Sequence, residues 1–247
     1  MIPNPWDVGS AKLLAQLGFK ALATTSSGFA WSLGRRDGYI TLDDALAHLR
    51  AISASVDVPV NADFEAAFAV EPEDVAENVR RAAETGVAGL SVEDSTGDPS
   101  KPLFDFELAL ERIRAARTAL DEAGGKVLLT ARSENHAPLA ERIKRLTAFA
   151  DAGADCLFAP GLRSLGDITE VVRAVAPKPV NVLVGGDFTT VAELTAAGVR
   201  RISVGGALAR AAWAGFFRAA REIAEQGTFT ALAAGTPSAD LERAFSA

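Results

Sequence analysis

Val58-Pro-Val-Asn-Ala-Asp-Phe-Glu65 reads as a short buried strand that runs into acid. Val58 and Val60 carry the strand signal, Pro59 sits near its start, and Asp63 and Glu65 stand where it should end. A parallel strand covered on both faces is a near-continuous apolar run. Carboxylates at its tip need a reason, because an unpaired buried charge is strongly unfavourable. The design recurs downstream, where Val87-Ala-Gly-Leu-Ser-Val92 runs straight into Glu93-Asp94. Two neighbouring strands that both end in acid point to a divalent cation held between them. Mg²⁺ takes oxygen ligands, commonly one or two carboxylates completed by waters and substrate oxygens.

Working outward, short β-rich runs alternate with amphipathic helical runs, the pattern of a parallel sheet with helical crossovers. The apolar strand candidates are a stub at Ile2-Pro3, then Ala21–Thr25, Val58–Asp63, Gly89–Glu93, Val127–Ala131, Cys156–Ala159, Val180–Val184 and Arg201–Val204. Helices are expected between them, over Ser10–Leu17, Thr41–Ser55, Pro72–Thr85, Phe106–Glu122, Leu139–Asp151, Ser164–Val175, Thr190–Ala197 and Gly206–Gln226. Thr41-Leu-Asp-Asp44 supplies an N-cap with acids in the first turn, and Pro72 suits a first helical turn. Three helices hand over to strands alike, through Glu84-Thr-Gly-Val-Ala, Asp151-Ala-Gly-Ala-Asp and Ala196-Ala-Gly-Val-Arg. Eight such units in 247 residues predict an α/β fold of the closed (β/α)₈ TIM-barrel type. An open doubly wound sheet is the competing arrangement, but no Gly-x-Gly-x-x-Gly follows the early strands. The barrel is expected to occupy residues 1–227. Residues 228–247 form a helical tail whose Phe229, Leu232, Leu241 and Phe245 need burial against the barrel or a partner subunit.

The net charge of −7 is spread without long runs, which argues against nucleic acid or an anionic membrane as partner. One cysteine allows no internal disulfide and suits a reducing compartment. No run of 18 apolar residues occurs, and the N-terminus lacks a basic segment followed by an apolar one. A cytoplasmic protein is expected, and the apolar tail predicts a homo-oligomer.

In such a barrel, reacting groups sit at the C-terminal ends of the strands. The sequence puts Asn4-Pro-Trp-Asp7 after the stub, Thr24-Thr-Ser-Ser-Gly28 after the second run, and Arg36-Asp37 further along. Asp63 and Glu65, then Glu93 and Asp94, then Arg132, Ser133, Glu134, Asn135 and His136 follow on successive strands, and Asn181 lies on a later one. Hydroxyls and backbone donors can hold a carboxylate, acids can hold a metal, and an arginine can grip an anion. Each also has a plainer reading. Asp63 could cap a helix, Arg132 could pair with Glu134 or Glu93, and Thr25-Ser26-Ser27-Gly28 could be a turn. His136 reads as a loop residue and Cys156 as a small buried hydrophobe. Trp6, Trp31 and Trp213 read as packing groups, with Trp6 also placed to line a pocket floor.

Seven local motifs then follow in order: Asn4-x-Trp-Asp7 with Ser10-Ala11, Gly18-Phe19-x-Ala21, Thr25-Ser26-Ser27, Leu33-Gly34-x-x-Asp37, Asp63-x-Glu65, Val92-Glu93-Asp94 and Ala131-Arg132-x-Glu134. Together they resemble the isocitrate lyase / phosphoenolpyruvate mutase superfamily over essentially the whole chain. The resemblance implies an α/β barrel whose last helix is often swapped between subunits of a dimer or tetramer. It implies Mg²⁺, with Mn²⁺ as an alternative, and a small 2-oxo or 2-hydroxy acid or phosphonate handled through an enolate. It assigns Asp63, Glu65 and Glu93 to the metal, directly or through water. It gives Thr25, Ser26 and Ser27 to the substrate carboxylate and sets Arg132 against the enolate or the breaking bond. Asp37 falls at the pocket's edge, and Asn181 and Trp6 fall near substrate. The implied catalytic groups are Arg132, Asp37 and Glu93.

The sequence also departs from the family pattern. Glu65 stands where the family usually has a second Asp, and Ala66-Ala-Phe-Ala69 replaces a glycine-rich turn. The lyase loop Lys-Lys-Cys-Gly-His is absent; Ser95-Thr-Gly-Asp-Pro-Ser-Lys-Pro102 stands in its place, with neither Cys nor His. Three readings stay open. The favoured one is a C–C bond lyase acting on an isocitrate-like or 2-methylisocitrate-like substrate. The others are C–P chemistry of the phosphoenolpyruvate mutase or phosphonopyruvate hydrolase type, and a 2-oxo acid binder with little turnover.

Overall fold

The computed structural model describes residues 1–134 and 136–246. Seven parallel strands pair in chain order: β1 Leu22–Ala23, β2 Val60–Asp63, β3 Gly89–Glu93, β4 Leu128–Arg132, β5 Cys156–Phe158, β6 Val180–Leu183 and β7 Arg201–Ser203. The expected first strand does not form a ladder, but its backbone closes the ring. The Ile2 amide donates to Ile202 O on β7 (2.8 Å), and the Ala23 amide on β1 donates to Pro3 O (3.1 Å). Pro3 has no N–H, which limits how far the pairing can extend. Asn4 completes the seam: its Nδ2 donates to Thr24 O (2.8 Å), and its Oδ1 accepts from the amides of Val204 (2.8 Å) and Gly205 (2.9 Å). The result is a nearly closed α/β barrel, as expected.

The helices are α1 Val8–Gln16, α2 Ser26–Ser32, α3 Leu42–Ser55, α4 Pro72–Ala83, α5 Phe106–Glu122, α6 Leu139–Asp151, α7 Leu165–Ala174, α8 Val191–Ala196, α9 Ala207–Gln226 and α10 Ser238–Phe245, with a 3₁₀ turn at Thr230–Ala234. The α4 segment shows why they form. Pro72 opens it, Glu73 and Asp74 face its positive end, and Arg80 and Arg81 its negative end. Val75, Val79 and Ala82 fall on one face and are fully buried. Each valine contributes about 2 kcal/mol of burial. Thr25–Gly28, for which a turn was the plainer reading, is the start of α2, with the Thr25 side chain accepting from the Gly28 amide (3.4 Å). Gly28 and Gly206 are bare because a Cβ would come within 2.8 Å of Thr25 at the first and of the Ser27 hydroxyl at the second.

The strands are not the continuous apolar runs that the opening stretch suggested. They alternate. Ala62, Leu90, Val92, Leu129, Ala131, Leu157, Val182 and Ile202 pack in apolar clusters with the helices. Asn61, Asp63, Ser91, Arg132, Asn181, Arg201 and Ser203 line a cavity inside the barrel. A barrel of this type usually fills its interior with bulky branched residues; this one is polar and partly hollow.

The tail folds back on its own chain. The Glu222 carboxylate accepts from the Thr228 hydroxyl (2.6 Å) and the amides of Thr230 (2.7 Å) and Ala231 (2.6 Å). Gln16 on α1 bonds to Ala244 O on α10, and the Phe245 ring packs near Gly9. Phe229 stays 64% and Leu232 54% exposed, so the fold-back leaves apolar surface uncovered. Among the described residues, no helix is long and apolar enough to cross a membrane.

Candidate active site

The C-terminal ends of β2, β3 and β4 meet around one guanidinium. Arg132 Nη1 lies 3.2 Å from Asp63 Oδ1 and 3.1 Å from Glu93 Oε2, and its Nε bonds to Glu134. The ladder register brings Asp63 opposite Ser91 and Glu93 opposite Arg132. The guanidinium lies 5.3 Å from the centre of the Phe158 ring on β5. Burial alone would lower the Arg132 pKa, but Glu93, Glu134 and Asp63 outweigh it and hold the group above its ordinary value.

The α2 start completes the mouth. The Ser26 amide donates to Asp63 Oδ2 (3.0 Å), the Asp63 amide donates to the Thr24 hydroxyl (2.9 Å), and the Ser26 hydroxyl reaches Asp37 (3.4 Å). Thr25 and Ser27 share a hydroxyl contact at 3.0 Å. Thr25, Ser26, Ser27, Asp37, Asp63, Arg132 and Asn181 thus line one inner cavity of about 220 Å³. A second, outer cavity of about 660 Å³ is lined by Ser26, Asp37, Glu65, Glu93 and Arg132, and by Ser95, Thr96 and Gly97 of the substituted loop. That loop is pinned by an antiparallel bridge from Ser95 to Leu103 and by the Thr96 amide donating to Pro102 O (3.0 Å).

Three expectations are resolved by strand and loop geometry. Glu93 points into the mouth, but Asp94 points the other way, as period two requires. Asp94 pairs with Arg145 (3.2 Å) and accepts from the Glu134 amide (2.8 Å), so it braces the barrel rather than the site. Trp6 lines neither cavity; it packs beside the α2 glycine, Gly28. His136 falls in the turn after β4 and lines neither cavity, and Asn135 lies outside the described residues. Cys156 is a buried thiol whose pKa burial pushes up.

Glu65 is held unusually. Its φ is +47°, and Ala67 (+57°) and Phe68 (+55°) share the left-handed region that favours glycine. The stretch where the family pattern has glycines therefore keeps glycine-like backbone without glycine. Arg112 of α5 holds it: Nη1 donates to Ala69 O and Val70 O (2.8 Å), Nη2 to Ala66 O (2.6 Å), and the guanidinium stacks 3.9 Å from the Phe104 ring centre. Such strain persists only where surroundings enforce it, and it clusters at functional sites.

The electrostatics test whether a cation fits. Asp37, Asp63, Glu65, Glu93 and Glu134 gather around Arg132, with Arg112 and Arg142 also feeling the charges of Glu93 and Glu134, respectively. Burial, with the charges of Asp63 and Asp37, pushes Glu65 up to about 8, and burial pushes Glu93 up to about 8 despite Arg132. Burial and the Asp63 charge raise Asp37 as well. Glu65 Oε1 is buried with no hydrogen-bond partner. Among the described residues no three such side chains converge into a ready-made cage. An oxygen-only set with surplus negative charge and an orphaned carboxylate oxygen fits a hydrated Mg²⁺, which needs only one or two carboxylates.

The residues missed by sequence reading are Phe158, Asn61, Ser203 and Arg201. The signal that could have found the last three is the apolar–polar alternation of Val60-Asn-Ala-Asp63, Val180-Asn-Val-Leu183 and Arg201-Ile-Ser203.

Comparison with known proteins places the chain among relatives. The sequence model of the family described as phosphoenolpyruvate phosphomutase matches residues 1–224. A solved structure from Burkholderia cenocepacia J2315, described as a lyase/mutase candidate, is 47% identical with a TM-score of 0.97, covering 100% of this chain and 91% of that one. The structure of 2,3-dimethylmalate lyase is 30% identical with a TM-score of 0.87, covering 98% and 88%. The 2-methylisocitrate lyase of Salmonella typhimurium is 33% identical over 167 residues, which are 64% of this chain and 57% of that enzyme.

Proposed function

The chain belongs to the phosphoenolpyruvate phosphomutase family, within the isocitrate lyase / phosphoenolpyruvate mutase superfamily of enzymes, and from that premise we propose that it is a Mg²⁺-dependent C–C bond lyase. Its substrate is a small 2-oxo or 2-hydroxy acid of the isocitrate or 2-methylisocitrate kind, and the reaction passes through an enolate. The observation that carries the reading is the convergence of Asp63 and Glu93 on Arg132 Nη1 at the barrel mouth. The similarity to two proteins named as lyases of 2-hydroxy acids supports the choice of bond.

Asp63, Glu65 and Glu93 would hold the ion, which when bound supplies positive charge to an enolate oxygen. The chain's own residues do the rest. Thr25, Ser26 and Ser27 receive the substrate carboxylate beside the α2 start. Arg132, clamped by Glu134 and so unable to swing, presents fixed positive charge to the developing enolate. Asn181 orients the substrate from β6. Asp37, a carboxyl at the pocket edge that burial and the Asp63 charge hold in the protonated direction, is the group that places a proton on or takes one from the substrate carbon. In that role it takes the part that a loop cysteine would otherwise play.

The test is a thermal-shift and turnover screen of 2-oxo acids, 2-hydroxy-tricarboxylates and phosphonates with Mg²⁺ and with EDTA. An acid that stabilises the protein only with Mg²⁺ and is cleaved supports the reading. Asp63→Ala is expected to abolish both effects with the fold intact; unchanged activity would sink the assignment. The family description also motivates a second reading, C–P chemistry on phosphoenolpyruvate or phosphonopyruvate. It would show as interconversion or phosphate release by ³¹P NMR. Stabilisation without any product would instead make the chain a 2-oxo acid binder.

The same reading includes a homo-oligomer. Phe216 (59%), Phe217 (51%), Phe229 and Leu232 leave an apolar surface along α9 and the tail that a second subunit can cover.

A further inference from the structure

Beneath the mouth, the barrel interior holds a second cation, Arg201, with which no carboxylate among the described residues forms an ion pair. Arg201, the first residue of β7, projects into the barrel, and the register sets it beside Asn181 on β6. Its Nη2 donates to the Thr130 hydroxyl (2.8 Å), its Nε to Asn181 Oδ1 (3.2 Å) and its Nη1 to Asn61 Oδ1 (3.3 Å). All three acceptors are neutral. Among the described residues no carboxylate lies within ion-pair distance of it, although Arg132 above it contacts three. The Asn181 amide is itself fixed by donating to Ser203 (2.9 Å), so the polar ring around Arg201 is preorganised.

A guanidinium inside a protein is normally neutralised, because a charge removed from water without a counter-charge is strongly unfavourable. Arg201 also lines the same cavity of about 220 Å³ as Ser26, Asp63 and Arg132. The cavity therefore has one anion-seeking group at its floor and the acid cluster at its mouth. In a barrel whose interior would ordinarily be filled with branched apolar side chains, an open polar shaft ending in an uncompensated arginine is a receptor for an anion.

We infer that Arg201 binds, inside the barrel, a further carboxylate of the substrate. The substrate's 2-oxo or 2-hydroxy acid end engages Asp63, Arg132 and the Thr25–Ser27 start of α2. Its other carboxylate descends the shaft to Arg201, Asn61 and Asn181. The inference rests on the proposed function for which end sits at the mouth. The Arg201 site itself rests on the geometry of the shaft.

The test compares malate and lactate, which share a 2-hydroxy acid end and differ by one carboxylate-bearing arm. Each is titrated calorimetrically in Mg²⁺ and in EDTA. The wild type is expected to bind malate more tightly than lactate. Arg201→Gln should weaken malate by about tenfold or more, the value of a lost charge-assisted contact, and leave lactate unchanged. Arg201→Lys should recover part of the difference. Asn61→Asp keeps the arginine but supplies an internal counter-charge, and should suppress malate selectively as well; it serves if Arg201→Gln fails to fold. An unchanged malate-to-lactate ratio in these variants, or no malate binding to the wild type, overturns the inference. If malate binding is sensitive to Arg201 but indifferent to EDTA, the metal-dependent reading fails and the anion site stands. If EDTA abolishes binding but the ratio ignores Arg201, the reverse holds.

Discussion

Arg112 shows how a residue remote from the chemistry can set its geometry. It is 1% exposed, and burial lowers its pKa to about 10. Its donors go to three carbonyls of the Ala66–Val70 loop, whose backbone starts with Glu65 in a left-handed conformation. Arg112→Met keeps the stem's volume but removes the donors from those part-buried acceptors. An unpaired buried group costs roughly 1–3 kcal/mol and a partly solvated one less, so a loss of about 2 kcal/mol is expected by urea denaturation. Glu65 would also lose its enforced position, and Mg²⁺ should stabilise the variant less than the wild type at the same concentration. A variant that loses stability but keeps the full Mg²⁺ shift would separate the loop from the ion site. Asp94 makes the complementary point: next to Glu93 in sequence, it faces Arg145 on the far side of the strand, so adjacency in a strand is not adjacency in space.

At the scale of elements, the tips of β2 and β3 carry carboxyls that folding itself pushes up. Glu65 and Glu93 titrate near 8 in the folded chain against about 4.5 unfolded. A raised folded pKa means that the native state binds more protons between those values. Stability from this source is full below about 4.5 and is lost as pH rises through 8. His48 on α3, stacked 3.8 Å from Phe29, has the opposite tendency, because burial lowers it to about 4. Unfolded, it is half protonated at about 6.5 and loses that proton as pH rises, so its opposing effect fades and the carboxyls dominate towards pH 8. In EDTA the protein should lose up to about 1.4 kcal/mol per pH unit for each carboxyl there. Mg²⁺ favours the ionised forms, so its stabilising shift should be larger at pH 8 than at pH 6.5; equal shifts would count against these carboxylates as ligands. The α4 face gives a plain packing check. Val79→Ala removes two buried methyl equivalents and should cost about 2 kcal/mol with no change in Mg²⁺ response.

Over the whole molecule, the barrel is closed by three residues at its beginning, Ile2, Pro3 and Asn4, and the tail returns to α1 at its end. The exposed aromatic stripe of α9 and the tail predicts that a chain cut after Gln226 has a lower mass by size-exclusion light scattering than the full chain. An unchanged mass would remove the tail from the subunit contact. The strand–helix alternation and the Gly-terminated helix ends were legible because each is a local property of backbone and side-chain periodicity. The seven motifs were legible for the same reason, since each is a short local run. Phe158 was not, because its relation to Arg132 passes through a neighbouring strand.

By itself the sequence determined the parallel α/β architecture, the end of the barrel where the candidate site lies, and the acids, hydroxyls and arginine that stand there. Those features follow from local propensity, turn chemistry and the rule that strand tips face one end. Only the tertiary structure decided that Asp94 turns away, that Trp6 packs outside both cavities, and that Arg112 enforces the backbone of Glu65. It also decided that Arg201 reaches Asn61 across 140 positions of sequence to form a charged floor. The physical reason is that orientation and pairing inside a closed barrel are set by register and closure. Neither is fixed until all the strands have met.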